Sequence, residues 1–111
     1  MATIKTYTDI EQSKKLAEIL PLESADMSWY LATKGNPKAM FNEGYGKYGD
    51  FELPCWSLAV LLDYLSANFR VDIKYLDNYW ELDCRVHSEY AKELLDACVD
   101  MIICLNELKM S

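Results

Sequence analysis

An apolar stretch runs through the middle of the chain, from Pro54 to Leu65. Between Leu58 and Leu65 only Asp63 is charged, so a helix formed here would be apolar nearly all round. Helices of that kind belong inside a core rather than at a surface. The pattern therefore predicts a buried central helix on which the other elements pack.

An amphipathic helix is predicted before this stretch, from Asp9 to Leu20, where apolar residues recur at helical spacing. Thr8 and Glu11 are spaced as a capping box, in which the side chain of each residue bonds the backbone N–H of the other. Pro21 is expected to end this helix because it cannot continue the helical hydrogen bonding.

A second amphipathic helix is predicted over residues 91–109, with a broad apolar face. A narrow acidic stripe runs along its opposite side: Glu93, Asp96, Asp100 and Glu107. Such a stripe is usually a solvated face, and we prefer that interpretation to a docking site.

Two β-hairpins are predicted between the helices. The first joins strands over 27–33 and 39–43 through a turn at 34–37. A loop rich in glycine and tyrosine follows over 44–50.

The second hairpin has the clearest local pattern. Apolar residues alternate along 69–76 and 80–86, and Asp77-Asn78 between them suits a two-residue turn because both residue types tolerate positive φ. In this register Lys74 faces Glu81 on the polar side. The predicted core-side pairs are Tyr75 with Trp80, Ile73 with Leu82, and Val71 with Cys84.

Together these elements predict one α+β domain over residues 1–111, in the order α-β-β-α-β-β-α. The two hairpins would form one antiparallel four-stranded sheet, with the three helices mainly on one face. Residues 9–45 and 54–87 each read as a helix followed by a hairpin, which indicates a weak internal repeat.

Composition narrows the classes of function. The chain has 11 Lys and Arg against 18 Asp and Glu, and its net charge of −7 argues against direct nucleic-acid binding while permitting a basic protein partner. No apolar run reaches the roughly 18 residues of a membrane span. The first residues lack the apolar core of a signal peptide, so we expect a cytoplasmic protein that does not enter a membrane. No pattern indicates a cofactor.

The chain has four cysteines, none in a Cys-x-x-Cys pair: Cys55, Cys84, Cys98 and Cys104. Each lies in an apolar pattern, which favours buried free thiols over disulfides. The only histidine is His87, so a zinc site is not indicated and no metal is expected. Alternation places His87 on the polar strand face as a surface residue. A nucleophilic Cys–His pair would require Cys55, Cys98 or Cys104 to approach His87, and the sequence leaves this open.

Three glycines match the spacing of a dinucleotide-binding fingerprint: Gly44, Gly46 and Gly49. That fingerprint needs a helix to begin at its third glycine, so that the helix N-terminus meets the pyrophosphate. Here Asp50 and Glu52 place carboxylates where a phosphate would lie, so a flexible loop is the better interpretation.

Aromatic residues concentrate near this loop and the first hairpin. Exposed tyrosines on glycine-rich loops suit protein binding, and the predicted interaction surface consists of Tyr30, Tyr45 and Tyr48. Trp29 and Trp56 lie in the same region, but we expect both in the core.

Three segments carry a resemblance: residues 7–27 (YTDIEQSKKLAEILPLESADM), 53–62 (LPCWSLAVLL) and 96–102 (DACVDMI). In these segments the chain resembles a group of short uncharacterised proteins encoded in prophages and mobile elements of gut Bacteroidetes. The segments cover about a third of the chain, and the resemblance implies no catalytic residue. It implies an accessory product of a mobile element that works inside a bacterial cell.

The sequence therefore leads first to a non-enzymatic module that binds a protein partner, with a homodimer through an unpaired hairpin edge as a further option. One alternative is an acidic decoy that mimics nucleic acid and occupies a host protein. The other is a small enzyme built around a cysteine and His87. Carboxylates clustered on one surface would favour the decoy, and a short Cys–His distance would favour the enzyme.

Overall fold

The computed structural model describes residues 4–30, 37–41 and 52–110, which form an α+β fold. In these ranges three helices and six strands follow in the order α-β-β-β-α-β-β-β-α. A short 3-10 helix, Leu22–Ser24, lies between the first helix and the first strand. The elements are α1 (Ile10–Ala17), β1 (Met27–Tyr30), β2 (Lys38–Phe41), β3 (Glu52–Cys55), α2 (Leu58–Asn68), β4 (Asp72–Leu76), β5 (Tyr79–Asp83), β6 (Ser88–Ala91) and α3 (Leu94–Met110).

The strands form two antiparallel three-stranded sheets, so the prediction of one four-stranded sheet was wrong. The first sheet has the order β2-β1-β3 and the second has the order β4-β5-β6. The strands of each predicted hairpin pair antiparallel as expected, and each pair gains a third strand that the sequence did not reveal. The predicted turn of the first hairpin lies, apart from residue 37, outside the described residues. The internal repeat stays a prediction, and its two units differ in which strand is central.

The two missed strands have separate causes. Strand β3 contains Pro54, which lacks an N–H donor and is tolerated because β3 lies at a sheet edge. Strand β5 ends at Asp83, where the chain turns back and the Cys84 N–H donates to the His87 carbonyl at 2.9 Å. Ser88–Ala91 then pairs with β5, so the predicted strand to residue 86 and helix from residue 91 were both wrong at these boundaries.

Helix α1 is capped one residue later than predicted. The Asp9 carboxylate accepts from the Gln12 N–H at 2.7 Å, and the Asp9 N–H donates to the Gln12 side-chain oxygen at 3.1 Å. This is a capping box, but its members are Asp9 and Gln12 instead of Thr8 and Glu11. Thr8 is fully buried and bonds elsewhere.

The core lies between α1, α2, α3 and the inner face of the second sheet. Helix α2 is less central than predicted, because Leu61 and Leu65 are buried while Ala59 and Asp63 are exposed. Helix α3 supplies the larger share of the core: Leu95, Ala97, Cys98, Val99, Met101, Ile102 and Leu105. Among the described helices, none combines the length and the apolar character that crossing a membrane would require.

The second hairpin has the predicted register. Ile73 pairs with Leu82 and Tyr75 with Trp80, and the turn residues Asp77 and Asn78 have φ of 48° and 70°. The prediction that these side chains lie in the core is confirmed for Leu82, which is fully buried. It was wrong for Ile73 and Tyr75, which are 43% and 55% exposed. The reason is that α3 packs on β5 and β6 and leaves β4 uncovered.

Candidate functional site

The predicted tyrosine surface is only partly described by the structure. Tyr30 ends β1, where it is half-buried between Lys38 and Glu52 of the neighbouring strands. Tyr45 and Tyr48 lie outside the described residues, as do the three glycines of the predicted loop. That surface therefore stays a prediction.

Both tryptophans near this region serve the fold. Trp56 is fully buried and its indole N–H donates to Ser24 Oγ at 3.0 Å, which confirms its predicted place in the core. Trp29 is half-buried and donates to the Thr8 carbonyl at 2.9 Å. Their polar atoms are engaged in structural hydrogen bonds, so we assign neither to a binding surface.

Thr8 is the centre of a buried polar network that joins the segment before α1 to the start of α2. Its Oγ1 accepts from the backbone N–H of Trp56 at 3.1 Å and lies 2.7 Å from Ser13 Oγ. The Cys55 thiol donates to the Thr8 carbonyl at 3.4 Å, and burial raises the pKa of this thiol. Within the described ranges, no buried side-chain nitrogen or oxygen lacks a partner, so this network is structural.

A different cluster answers the question of which cysteine approaches His87. Glu89 Oε1 lies 2.5 Å from His87 Nε2 and accepts from the Cys104 thiol at 3.3 Å. The three ligand-type atoms all lie within 4.8 Å of one another, and all three residues are half-buried. The cluster is Cys104, Glu89 and His87, and we call it the His–Glu–Cys cluster.

Local structure accounts for this arrangement. Residues two apart on a strand share one face, so His87, just before β6, and Glu89, within β6, point to the same side. Helix α3 packs on β6 and brings Cys104 to that side. Alternation places His87 and Glu89 on one face only if residues 88–91 form a strand, which the sequence analysis did not predict. The approach of Cys104 depends on how α3 docks, which the sequence does not show.

The His–Glu–Cys cluster does not have the order of a nucleophilic triad. In such a triad the imidazole lies between the nucleophile and the carboxylate and takes the proton of the nucleophile. Here the carboxylate of Glu89 lies between the thiol and the imidazole. Burial, the hydrogen bond to Glu89 and nearby carboxylates raise the pKa of Cys104 to about 11, so its thiol is protonated at neutral pH. This weighs against the small-enzyme hypothesis.

The predicted acidic stripe is solvated at Asp100 and Glu107, which are exposed, and less so at Glu93 and Asp96, which are half-buried. Glu93 accepts from the Lys5 backbone N–H at 3.1 Å, and Asp96 accepts from Lys5 Nζ at 2.8 Å. Burial and the charges of Glu89 and Asp96 raise the pKa of Asp100. The carboxylates thus cluster beside the His–Glu–Cys cluster, and part of their charge is neutralised by Lys5.

Strand β4 is the most open element of the second sheet. All five of its residues are exposed, and β5 is its only strand partner in the part of the chain that the structure describes. Its large apolar side chains are Ile73, Tyr75 and Leu76, and Leu76 is 59% exposed. An edge strand with free backbone groups is a template on which another strand can pair.

An open apolar groove of about 670 Å³ lies between the first sheet and α2. Its lining includes Met27, Phe41, Leu58 and Leu62, and no member of the His–Glu–Cys cluster lines it. Phe41 directly precedes residues 42–51, which are outside the described part of the chain. We assign no ligand to this groove.

Comparisons with protein-family models, with curated proteins and with solved structures found no match for this chain. Functional reasoning therefore depends on the geometry of the edge strand and of the His–Glu–Cys cluster.

Proposed function

We propose that this protein is a non-enzymatic interaction module that associates through the free edge of β4, and that the strand it accepts is β4 of a second copy. The observation that carries the proposal is the charge order along this exposed strand, Asp72-Ile73-Lys74. Two copies related by a two-fold axis at Ile73 place opposite charges against each other.

Backbone direction determines which residues can pair at the free edge. In a two-residue hairpin the residues beside the turn bond each other, and backbone groups of successive residues point to opposite sides of a strand. Leu76, Lys74 and Asp72 therefore direct their backbone groups to β5. Ile73 and Tyr75 direct theirs to the free edge, where a second strand can accept them.

Charge distinguishes the three antiparallel registers that are centred on Asp72, Ile73 and Lys74. A pairing centred on Ile73 places Asp72 of each copy opposite Lys74 of the other. A shift that centres the pairing on Lys74 places two lysines opposite each other, and a shift to Asp72 places two aspartates opposite each other. Like charges directly opposite are destabilising and opposite charges are stabilising, by roughly 0.2–1 kcal/mol per pair. Of these three registers, only the one centred on Ile73 has no such repulsion.

The same register also covers apolar surface. It aligns Ile73 with Ile73 and Val71 with Tyr75 on the face that carries Leu82, at the β4 edge that α3 leaves uncovered. Tyr75 is already held in place by Trp80, since their ring centroids lie 4.8 Å apart. Pairing would thus bury side chains that are held in an ordered position before association, which lowers the entropic cost of binding.

The test is a charge-exchange experiment read by sedimentation or light scattering over a range of protein concentrations. We expect the natural chain to dimerise, and we expect Asp72→Lys and Lys74→Asp each to weaken self-association by at least about tenfold. Mixing the two variants should restore a dimer, because every pair in the mixed dimer is again of opposite charge. The double variant, Asp72→Lys with Lys74→Asp, should also dimerise.

Two results would overturn the proposal. One is a natural chain that stays monomeric at concentrations of several hundred micromolar. The other is a dimer that neither single variant weakens, which would place the interface elsewhere. Circular dichroism of each variant shows whether the hairpin has remained folded, and Lys38→Asp on edge strand β2 is a matched control that should leave association unchanged.

The acidic decoy is a second proposal, and the clustering of Glu89, Asp96 and Asp100 supports it. An acidic surface that replaces phosphates should bind a basic nucleic-acid-binding protein at low salt and release it at high salt. A pull-down from bacterial lysate at two salt concentrations, repeated with Asp100→Asn, would test it. Capture that is unaffected by salt would contradict the decoy.

A further inference from the structure

We propose that His87, Glu89 and Cys104 form a binding site for one divalent transition-metal ion, and that zinc(II) is the ion best matched to these ligands. The site combines an imidazole nitrogen, a carboxylate oxygen and a thiol sulfur from two packed elements, β6 with its preceding turn and α3. Zinc accepts this mixture of nitrogen, oxygen and sulfur, whereas calcium and magnesium prefer oxygen alone.

The distances fit a tetrahedral ion with little rearrangement. Bonds of about 2.0–2.3 Å to nitrogen, oxygen and sulfur place neighbouring ligand atoms roughly 3.3–3.7 Å apart. Cys104 Sγ and Glu89 Oε1 are already 3.3 Å apart. His87 Nε2 and Glu89 Oε1 are closer, at 2.5 Å, because a hydrogen bond joins them. Moving these two atoms apart by about 1 Å, through rotation of either side chain, would make room for the ion.

Binding the ion replaces the two hydrogen bonds that converge on Glu89. The Cys104 S–H bond breaks, the sulfur bonds the metal as a thiolate, and the proton goes to solvent. His87 loses the Nε2 proton that it donates to Glu89 and takes up a proton on Nδ1 from solvent, so that the neutral imidazole bonds the ion through Nε2 and only the Cys104 proton is released overall. One thiolate and one carboxylate then balance the two positive charges of the ion. A water molecule supplies the fourth ligand, as is usual where a protein offers three.

The surroundings favour a cation over an anion. Glu89 and Asp96 act electrostatically on Asp100, which shows that several carboxylates lie close to the His–Glu–Cys cluster. The three ligands are half-buried, so an ion could enter from solvent and would still be partly shielded from water. The cluster is separate from the free edge of β4, so failure of either proposal leaves the other intact.

The first test uses cobalt(II) alone as the probe and the metal-free full chain. A thiolate bound to cobalt gives a charge-transfer absorption, and four-coordinate cobalt gives strong visible bands, neither of which a surface carboxylate produces. We expect both signals at a ratio of one ion per chain, release of one proton per ion at neutral pH, and loss of the signals when zinc(II) is added.

Variants identify the ligands. Cys104→Ser, His87→Gln and Glu89→Gln should each weaken cobalt affinity by at least about tenfold, and Cys104→Ser should also abolish the charge-transfer band. Glu89→Gln keeps an oxygen for hydrogen bonding and so provides a folded variant if another is unstable. Cys84→Ser removes the other half-buried thiol and should leave binding unchanged. Glu18→Gln is the control for an exposed carboxylate, since Glu18 lies at the C-cap of α1.

The proposal is overturned if the natural chain shows no thiolate–cobalt absorption, or if the absorption survives in Cys104→Ser and disappears in Cys84→Ser. Binding that is equally strong in all three ligand variants would show ions held at other acidic positions, and this result also overturns it.

Discussion

Lys5 Nζ lies 2.8 Å from Asp96 Oδ1, and this ion pair joins the beginning of the described chain to α3 across 91 sequence positions. Lys5 also lies 3.0 Å from Asp9, the residue that caps α1. Gln12 donates to the same oxygen of Asp96 at 2.8 Å. One lysine and one aspartate therefore hold α1 against α3.

Removing the charge of Lys5 should loosen this connection. Partial exposure limits the energy of the pair, so we expect Lys5→Met to lower the free energy of unfolding by about 0.5–1 kcal/mol. Lys14→Met is the matched control, because Lys14 is exposed on α1, the helix that Lys5 helps to anchor, and it should change stability by less than about 0.5 kcal/mol. Urea denaturation measures both, and equal effects would contradict a specific role for Lys5.

The same connection predicts a dependence on pH. Burial alone would lower the pKa of Lys5, but hydrogen bonds to Asp96 and Asp9 outweigh it and raise that pKa above 10.5. Its contribution is therefore complete below pH 10.5 and is lost as the pH rises through the raised value. Burial alone would raise the pKa of Asp9, but the Gln12 N–H and Lys5 lower it below 3.8. That contribution is present above pH 3.8 and is lost as the pH falls through the lowered value.

The difference in melting temperature between the natural chain and Lys5→Met should consequently be largest between about pH 5 and pH 10 and should shrink at both ends of the range. Thermal melts in a buffer series measure it. A difference that stays constant over the whole range would show that Lys5 acts by packing alone.

The cap of α1 gives a prediction that separates the observed capping box from the one expected from the sequence. Asp9→Ala removes the acceptor for the Gln12 N–H and should cost about 1 kcal/mol of stability. Glu11→Ala should cost much less, because Glu11 is exposed and is not the cap. Asp9→Asn keeps an acceptor oxygen and should recover most of the loss. Denaturant midpoints of the three variants measure these losses of stability. A larger loss for Glu11→Ala than for Asp9→Ala would refute the observed cap.

Thr8→Val tests the buried network at the start of α2. Valine has nearly the shape of threonine but has no hydroxyl. The backbone N–H of Trp56, which is buried, would therefore lose the acceptor that Thr8 Oγ1 provides. We expect a loss of about 1–3 kcal/mol, with a smaller loss for Thr8→Ser, which keeps the hydroxyl. Chemical denaturation measures both variants. Equal losses would mean that the methyl group of Thr8, rather than its hydroxyl, supports the fold.

The second hairpin shows how far the sequence alone can lead. Its turn and register follow from Asp77-Asn78 and from the alternation of Ile73, Tyr75, Trp80 and Leu82, which are local signals, and the structure confirms them. The exposure of Ile73 and Tyr75 could not be predicted in this way. Alternation gives the face of a strand, but the position of α3 over β5 and β6 decides which part of that face is covered.

The sequence did not predict strand β6 or the His–Glu–Cys cluster, and the reason is related. Ser88–Ala91 contains residues that also suit a helix, and its pairing with β5 decides its conformation. His87 and Glu89 become neighbours only once β6 is recognised as a strand. Cys104 joins them only after a helix that begins at Leu94 has docked on that strand.

The long separation between Lys5 and Asp96 has a consequence for synthesis on the ribosome. Lys5 is translated before its partners Glu93 and Asp96, which lie 88 and 91 positions later in the sequence. Closing so long a loop costs conformational entropy, and contacts of this kind form late in folding. Helix α1 must therefore wait, without its anchor on α3, until the residues that begin α3 have also been translated.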